Sequence, residues 1–298
     1  MLRHLIDLWI GRYAQPSPEA LQAVAGLRPV TVVTGASRGI GLALARCFAE
    51  AGHDIALVAR HADPLENAVA EIARDFSVKT YAIALDLTQP DTPGTLEREL
   101  TARGLYLDVL INDAGMGLAG PFAEHEAAKV EQLLELNIAA LTRLMHHALP
   151  GMLARARGGI LNVASLGGLA PGPYQSAYYA SKAYVIALSE AVGYETAGSG
   201  VRLSVLAPGP VDTSIHAAMG TEHAFYRQLL VALSPEAVAR SGYRGYVLGW
   251  RLIVPGLIDK VMAVALRLLP HTLLAPLLGW LFRPRAERSW DETRDNGA

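Results

Sequence analysis

Strand-like and helix-like segments alternate from Val30 to Pro255, and this alternation limits the folds open to the chain more than any other feature. The β-rich runs are VTVVT (30–34), DIALVA (54–59), KTYAIAL (79–85), LDVLIN (107–112), GILNVA (159–164), RLSVLA (202–207) and RLIVP (251–255). Between them apolar residues recur at i, i+3, i+4 spacing, as in Leu133, Leu136, Ala140, Leu141 and Leu144, which predicts helices. The pattern predicts βαβ units with right-handed crossovers, and so an α/β fold with a doubly wound parallel sheet flanked by helices. Strands buried on both faces read as near-continuous apolar runs, which accounts for a composition that is 51% hydrophobic. No linker rich in Pro, Ser or Gly divides the chain and no internal repeat is present, so a single catalytic domain is expected.

Net charge is −2 with no long basic run, which argues against nucleic acid as a partner. The single cysteine, Cys47, excludes an internal disulfide and fits a reducing, cytoplasmic setting. Cys47 shares a helical face with Ile40 and Leu44 and reads as core filling. None of the nine histidines forms an HExxH or a Cys/His cluster, so no metal is expected. Leu2, Leu5, Ile6 and Trp9 repeat at helical spacing, and Asp7 interrupts the stretch, so the N-terminus reads as an amphipathic helix and not a signal peptide. A second short helix is expected to open at Ser17 as N-cap, with Pro18 at its first position, and to stop at Gly26.

TGASRGIG (34–41) follows the first strand and opens a helix. Gly35, Gly39 and Gly41 leave room for a tight turn and close backbone approach, and a helix N-terminus offers amide donors to a pyrophosphate. The residues Gly35-Ala36-Ser37-Arg38-Gly39 also spell G-x-S-x-G, the nucleophile elbow of serine hydrolases. A hydrolase elbow follows several strands and needs an acid and a histidine downstream. Here one strand precedes it, and His271 lies in an apolar tail, so Ser37 as nucleophile is the weaker reading. A dinucleotide site meets the adenosine ribose about 20 residues past the glycines, at the end of the second strand. At that place the chain has Ala59-Arg60-His61. Arg60 with Arg38 could clamp the 2′-phosphate of NADP, against the plain alternative of a solvated loop charge. Asp63-Pro64-Leu65-Glu66 reads as a capping box, which makes Asp63 a helix cap and not a ribose ligand.

SAYYASKAY (176–184) sets Tyr178 and Tyr179 four and three residues before Lys182, and helical geometry lets either reach it. Together with TGASRGIG, Asp86, NDAG (112–115), Asn137, Ser165 and Pro208-Gly209 with Thr213, this stretch resembles the short-chain dehydrogenase/reductase family. The resemblance runs from Val30 to about Gly256 and implies a Rossmann-type sheet. Its Tyr-x-x-x-Lys pattern selects Tyr178 and leaves Tyr179 as a packing neighbour. It implies a catalytic tetrad of Asn137, Ser165, Tyr178 and Lys182. It further implies cofactor contacts from Gly35, Ser37, Arg38, Gly39, Ile40, Gly41, Arg60, Asp86, Leu87, Asn112, Ala114, Gly115, Tyr178, Lys182, Pro208, Gly209, Val211 and Thr213. Asp86 reads equally as a cap at a helix entry. Asp113 departs from the family's more usual second asparagine, which puts a structural contact in doubt.

Carbonyl reduction delivers a hydride to carbon and a proton to oxygen, so a positioned acid must stand at the oxygen. A free tyrosine titrates near ~10, and lowering it by about 3 units takes roughly 4 kcal/mol of phenolate stabilisation, which a neighbouring ammonium can supply. In the resemblance Ser165 polarises the substrate oxygen and Asn137 anchors a water that relays the proton. The expected activity is transfer of a hydride between NADP(H), favoured over NAD(H), and a hydrophobic carbonyl or alcohol. The alternative is a regulator that kept the fold and lost catalysis; such a protein is expected to lack part of the tetrad. Met219, Phe225, Leu229 and Leu230 suggest an apolar pocket. The expected organisation is an N-terminal helical extension (1–29), the NADP-binding catalytic domain (30–256) and an apolar helical extension with a polar tail (257–298).

The tail from Leu257 to Phe282 carries Asp259, Lys260 and Arg267, and its uncharged run is broken by Pro270 and Pro276, so it is too short to span a bilayer. The expectation is that it shields the substrate pocket or an oligomer interface, with peripheral membrane contact, anchored by Trp280 and Arg283, Arg285 and Arg288, as the second fate. The resemblance implies a homo-oligomer, paired through the helices that hold Asn137 and Tyr178.

Overall fold

Seven parallel strands form one sheet in the order β3-β2-β1-β4-β5-β6-β7. They are β1 (Arg28–Thr34), β2 (Ile55–Ala59), β3 (Thr80–Ala84), β4 (Leu105–Asn112), β5 (Gly158–Val163), β6 (Val201–Leu206) and β7 (Leu252–Ile253). The computed structural model describes residues 15–212 and 232–283. Thr213, Met219, Phe225, Leu229, Leu230, Arg285, Arg288 and the amphipathic helix expected around Leu2 to Trp9 lie outside those residues. Every strand expected from the sequence is present. The seventh is the shortest, two residues paired with Val205 and Leu206 of β6.

The helices are α1 (Pro18–Ala23), α2 (Gly39–Glu50), α3 (Ala62–Asp75), α4 (Thr92–Ala102), α5 (Ala127–Leu134), α6 (Leu141–Ala154), α7 (Ser176–Glu195), α8 (Pro235–Val247), α9 (Leu257–Leu268) and α10 (His271–Phe282). They sort to the two faces of the sheet because the strands alternate their side chains. Val30 and Val32 of β1 enter a core shared with Leu96, Leu144 and Val185, whereas Val33 enters one with Phe48, Ile72 and Val238. Within β1 everything from Val30 to Thr34 is buried, as a strand covered on both faces requires. Cys47 packs beside the second core with Ile40, and burial pushes its thiol up from its ordinary value, in keeping with a filling role.

Three local expectations met different outcomes. Ser17 caps α1 by accepting from the amide of Ala20 at 3.2 Å, with Pro18 at the first position. Asp63, by contrast, is not a cap: α3 begins at Ala62 with His61 before it, which puts Asp63 inside the first turn. There its carboxylate favours the positive end of the helix without closing a box. The helix expected through Leu133 to Leu144 forms, but it runs from α5 to α6 through a π-helical turn at Glu135–Ala140.

The switch point lies between β1 and β4. From β1 the chain moves outward to β2 and β3, then crosses back to place β4 on the other side of β1. Open sheets of this kind bind ligands outside the carboxyl ends of the strands at that point. Among the described residues no helix is long and apolar enough to cross a membrane.

Candidate active site

The loop from β1 to α2 can approach a ligand closely because its glycines are not replaceable. Gly35 and Gly39 hold φ of +69° and +64°, a region that side chains strain to adopt. A Cβ on Gly35 would stand 2.8 Å from the backbone of Ala114, and one on Gly41 would stand 2.7 Å from the carboxylate of Asp113. The loop is thereby pressed onto the end of β4. Arg38 is extended at the N-cap of α2 and its side chain makes no cap bond, and of the first-turn amides that of Gly41 goes to the Asp113 carboxylate. This cradle suits a pyrophosphate.

A cleft of ≈ 680 Å³ opens over the loop. Its lining brings together Gly35, Ser37, Arg38, Gly39, Ile40, Arg60, Leu87, Ala114, Gly115, Ser165, Tyr178, Lys182, Pro208, Gly209 and Val211. Asn137, Gly41, Asp86 and Asn112 stand behind that lining. Asp86 accepts from the amide and hydroxyl of Thr88 at 3.0 and 2.8 Å, closing a local turn. Asn112 donates to Asn162 at 2.9 Å, and Asn162 donates to Ser189 at 2.8 Å, which ties β4 and β5 to α7. Asp113 is the one carboxylate among the described residues that line the cleft. Ser37 makes no hydrogen bond to a histidine among the described residues.

One end of α7 supplies Tyr178 and Lys182, the end of β5 supplies Ser165, and the π-helical turn supplies Asn137. Lys182 is buried; its ammonium donates to the carbonyl of Val163 at 2.9 Å and lies 5.8 Å from the centre of the Tyr178 ring. The Tyr179 ring instead packs on Gly167 and Gly172 and meets Phe282 edge-on at 5.8 Å. Ser165 accepts from the amide of Gly167 at 3.1 Å and donates to the carbonyl of Pro208 at 3.5 Å, the long limit of a hydrogen bond. Asn137 grips Met116 twice, accepting from its amide at 2.9 Å and donating to its carbonyl at 2.8 Å. It also donates to Ser181 at 3.0 Å, and Ser181 donates to the carbonyl of Tyr178 at 2.7 Å. π-Helical turns inside helices are frequent at functional sites; here the turn carries Asn137.

Burial sets the electrostatics. Desolvation pulls Lys182 down to about 8, opposed by the charge of Asp113, and the same cause lifts Asp113 to about 7, opposed by Lys182 and a bond from the amide of Gly41. Asp113 is thus a titratable group on the cleft floor, more than the structural contact expected from its place in NDAG.

The sequence matches the short chain dehydrogenase family over residues 29–224. The chain belongs to that family. An uncharacterized oxidoreductase of Staphylococcus aureus (strain N315) is 32% identical over 189 residues, 63% of this chain and 80% of that protein. The very-long-chain 3-oxoacyl-CoA reductase of Bos taurus is 34% identical over 191 residues, 62% of this chain and 60% of that protein. Among solved structures, a short-chain dehydrogenase from Sphingobium yanoikuyae in complex with NADPH superposes with a TM-score of 0.72 at 32% identity, covering 80% of this chain and 92% of that one. The bulky-bulky ketone specific alcohol dehydrogenase from Comamonas testosteroni superposes with a TM-score of 0.66 at 25% identity, covering 82% and 96%. The chain is therefore an oxidoreductase of the short-chain dehydrogenase type.

Within this short-chain dehydrogenase, two residues escaped sequence reasoning, Ser181 and Asp259, while the tail takes one of the two places expected for it, beside the pocket. Ser181 links Asn137 to the turn holding Tyr178, but a serine inside a helix carries no signal of its partner. The tail wraps back so that Met262 and Leu266 of α9, with Leu278, Leu281 and Phe282 of α10, form a wall of the cleft. Asp259 anchors that wall by accepting from the amide of Gly209 at 3.2 Å. An aspartate in an apolar tail carries no sign that its partner is the amide of Gly209.

Proposed function

We propose that the protein is an NADP(H)-dependent oxidoreductase that interconverts a hydrophobic carbonyl compound and its alcohol, with Tyr178 as general acid and base. The observation that carries this reading is that Tyr178, Ser165 and Lys182 open onto one cleft with the glycine cradle at one side and an apolar wall at the other.

Bound in the cradle, NADP(H) would supply or accept the hydride. Every other task falls to side chains. Ser165, held by the amide of Gly167, exchanges its long 3.5 Å bond to the Pro208 carbonyl for one to the substrate oxygen and polarises the carbonyl. Tyr178 gives that oxygen its proton in reduction and takes it back in oxidation. The Lys182 ammonium stabilises the phenolate left behind, and its burial strengthens that interaction by excluding water. Asn137, set between Met116 and Ser181, holds the water that relays the proton outward.

The preference for NADP(H) over NAD(H) rests on Arg38 and Arg60. Both line the cleft beside the glycine loop, and no carboxylate lines it at the end of β2. A hydrophobic substrate fits a wall built from Met116, Leu166, Met262, Leu278 and Phe282. The very-long-chain and bulky-ketone specificities of the two named relatives point the same way. The homo-oligomer implied by the family resemblance would pair through α6 and α7, and light scattering of the purified protein checks it. The test of the activity is a screen of aliphatic, aromatic and steroid-like ketones and alcohols with NADPH, NADP, NADH and NAD, following nicotinamide absorbance. Turnover of an apolar ketone with NADPH is expected; turnover confined to charged substrates, or to NADH, contradicts the reading.

A further inference from the structure

The tail that walls the cleft has a second face. On α9 the residues Leu257, Val261, Val264 and Leu268 follow one another at helical spacing, and on α10 Leu273, Leu277 and Trp280 do the same. All seven are exposed, Leu257 and Leu268 by 78% and 77% and Trp280 by 63%. The opposite sides of the same helices are spent on the protein: Asp259, Ala263 and Leu274 are buried, and Met262, Leu266, Leu278 and Leu281 line the cleft. Seven large apolar side chains facing outward from two adjoining helices exceed the scatter expected of an ordinary surface.

The charges choose the occupant. The helices and the residue that ends them carry Lys260, Arg267 and Arg283, all exposed, with Arg267 also meeting Glu190 of α7 at 3.2 Å, while their one acid, Asp259, is turned inward onto Gly209. A second copy packed face to face would bring like charges together and offer no exposed acid from either helix to meet them. The phosphates of an anionic lipid surface meet them directly. Each helix has 12 residues, about 18 Å of rise, against the ~30 Å of a hydrocarbon core, so the pair can lie in the interface but not cross it. Trp280, apolar with one polar edge, suits that depth.

We propose that the outward face of α9 and α10 docks on an anionic lipid surface. The lid over the cleft then rests in the interface, where an apolar substrate dissolves. Docking itself is independent of the catalytic reading, because it is read without turnover.

The full-length protein is floated through a density gradient with vesicles of phosphatidylcholine alone and of phosphatidylcholine with phosphatidylglycerol. Two variants accompany it, Leu268→Gln/Leu273→Gln/Leu277→Gln/Trp280→Gln and Lys260→Gln/Arg267→Gln, each checked for folding by thermal melting. The wild type is expected to float with the anionic vesicles and far less with the neutral ones. The fourfold variant should lose at least tenfold in partitioning. The charge variant should lose about fivefold per cation removed, and high salt should mimic it. A wild type that stays at the bottom with anionic vesicles overturns the proposal. So does a folded fourfold variant that floats as well as the wild type, or a wild-type oligomer that this variant dissociates, which would assign the face to a second copy. If the fourfold variant does not fold, the charge variant decides: unchanged flotation overturns the proposal.

Discussion

The carboxylate of Asp259 accepts a 3.2 Å hydrogen bond from the amide of Gly209, fastening the first turn of the tail helix α9 to the turn after β6. Gly209 lines the cleft, and a Cβ placed on it would stand 2.5 Å from an oxygen of Asp259. Gly209→Ala should therefore drive the tail off its seat and weaken cofactor binding. Asp259→Ala loses a charge-assisted bond, about 1.5–3 kcal/mol, and should lower Tm by several degrees. Combining the two should be less harmful than the sum, because the second change makes room for the first. Thermal melting and cofactor titration of the three variants check this; strict additivity would place the clash elsewhere.

Asp113 and Lys182 should leave a mark on stability against pH. Burial lifts Asp113 from its ordinary 3.8 to about 7, so its protonated form favours the fold. That contribution is full below about 3.8 and is lost as pH rises through about 7. Burial lowers Lys182 to about 8, so its contribution is full above its ordinary 10.5 and is lost as pH falls through about 8. Asp113→Asn removes the first loss. Its Tm should exceed the wild type's by about 2 °C or more at pH 7.5, with a smaller gap at pH 5. An equal gap at both pH values would contradict the assignment.

Arg38→Ala/Arg60→Ala should weaken NADPH by roughly a hundredfold, as two charge-assisted contacts to the 2′-phosphate go, and NADH by less than about threefold. Fluorescence titration with both cofactors measures it. Equal losses would make the arginines general contacts of the pyrophosphate.

The fold was legible because a buried parallel sheet writes itself as apolar runs, and all seven strands lie where those runs are. TGASRGIG was legible for a related reason: Gly35, Gly39 and Gly41 each stand where a Cβ would strain the backbone or collide. Other features follow from contacts between distant segments. Asp63 looked like a cap because its neighbours fit a box, but the register of α3 is set by the burial of Leu65, Ala68 and Ile72. Asn137 could be named, but not the π-helical turn that aims it, nor the bridge through Ser181. Asp113 read as a small departure, and only its place beneath the glycine loop beside Lys182 makes it a titrating group.

Ser181→Ala tests that bridge. It removes the hydroxyl between Asn137 and the carbonyl of Tyr178, leaving a buried amide hydrogen unpaired. About 1–3 kcal/mol of stability should be lost. As a positioning residue it should lower kcat more than it raises KM, and Ser181→Thr should restore part of the loss. A fall in stability with kcat unchanged would leave Ser181 a purely structural role.

Tyr178, and not its neighbour Tyr179, should give and take the proton. The geometry distinguishes them: the Lys182 ammonium lies 5.8 Å from the centre of the Tyr178 ring, while the Tyr179 ring packs on Gly167, Gly172 and Phe282. The measurement is kcat for Tyr178→Phe and Tyr179→Phe with NADPH and the best ketone from the screen, beside the NADPH Kd of each. Tyr178→Phe should lose at least about a thousandfold in kcat with Kd within about threefold of wild type, while Tyr179→Phe keeps most activity. Equal losses in the two variants, or a loss only in Tyr179→Phe, would contradict it.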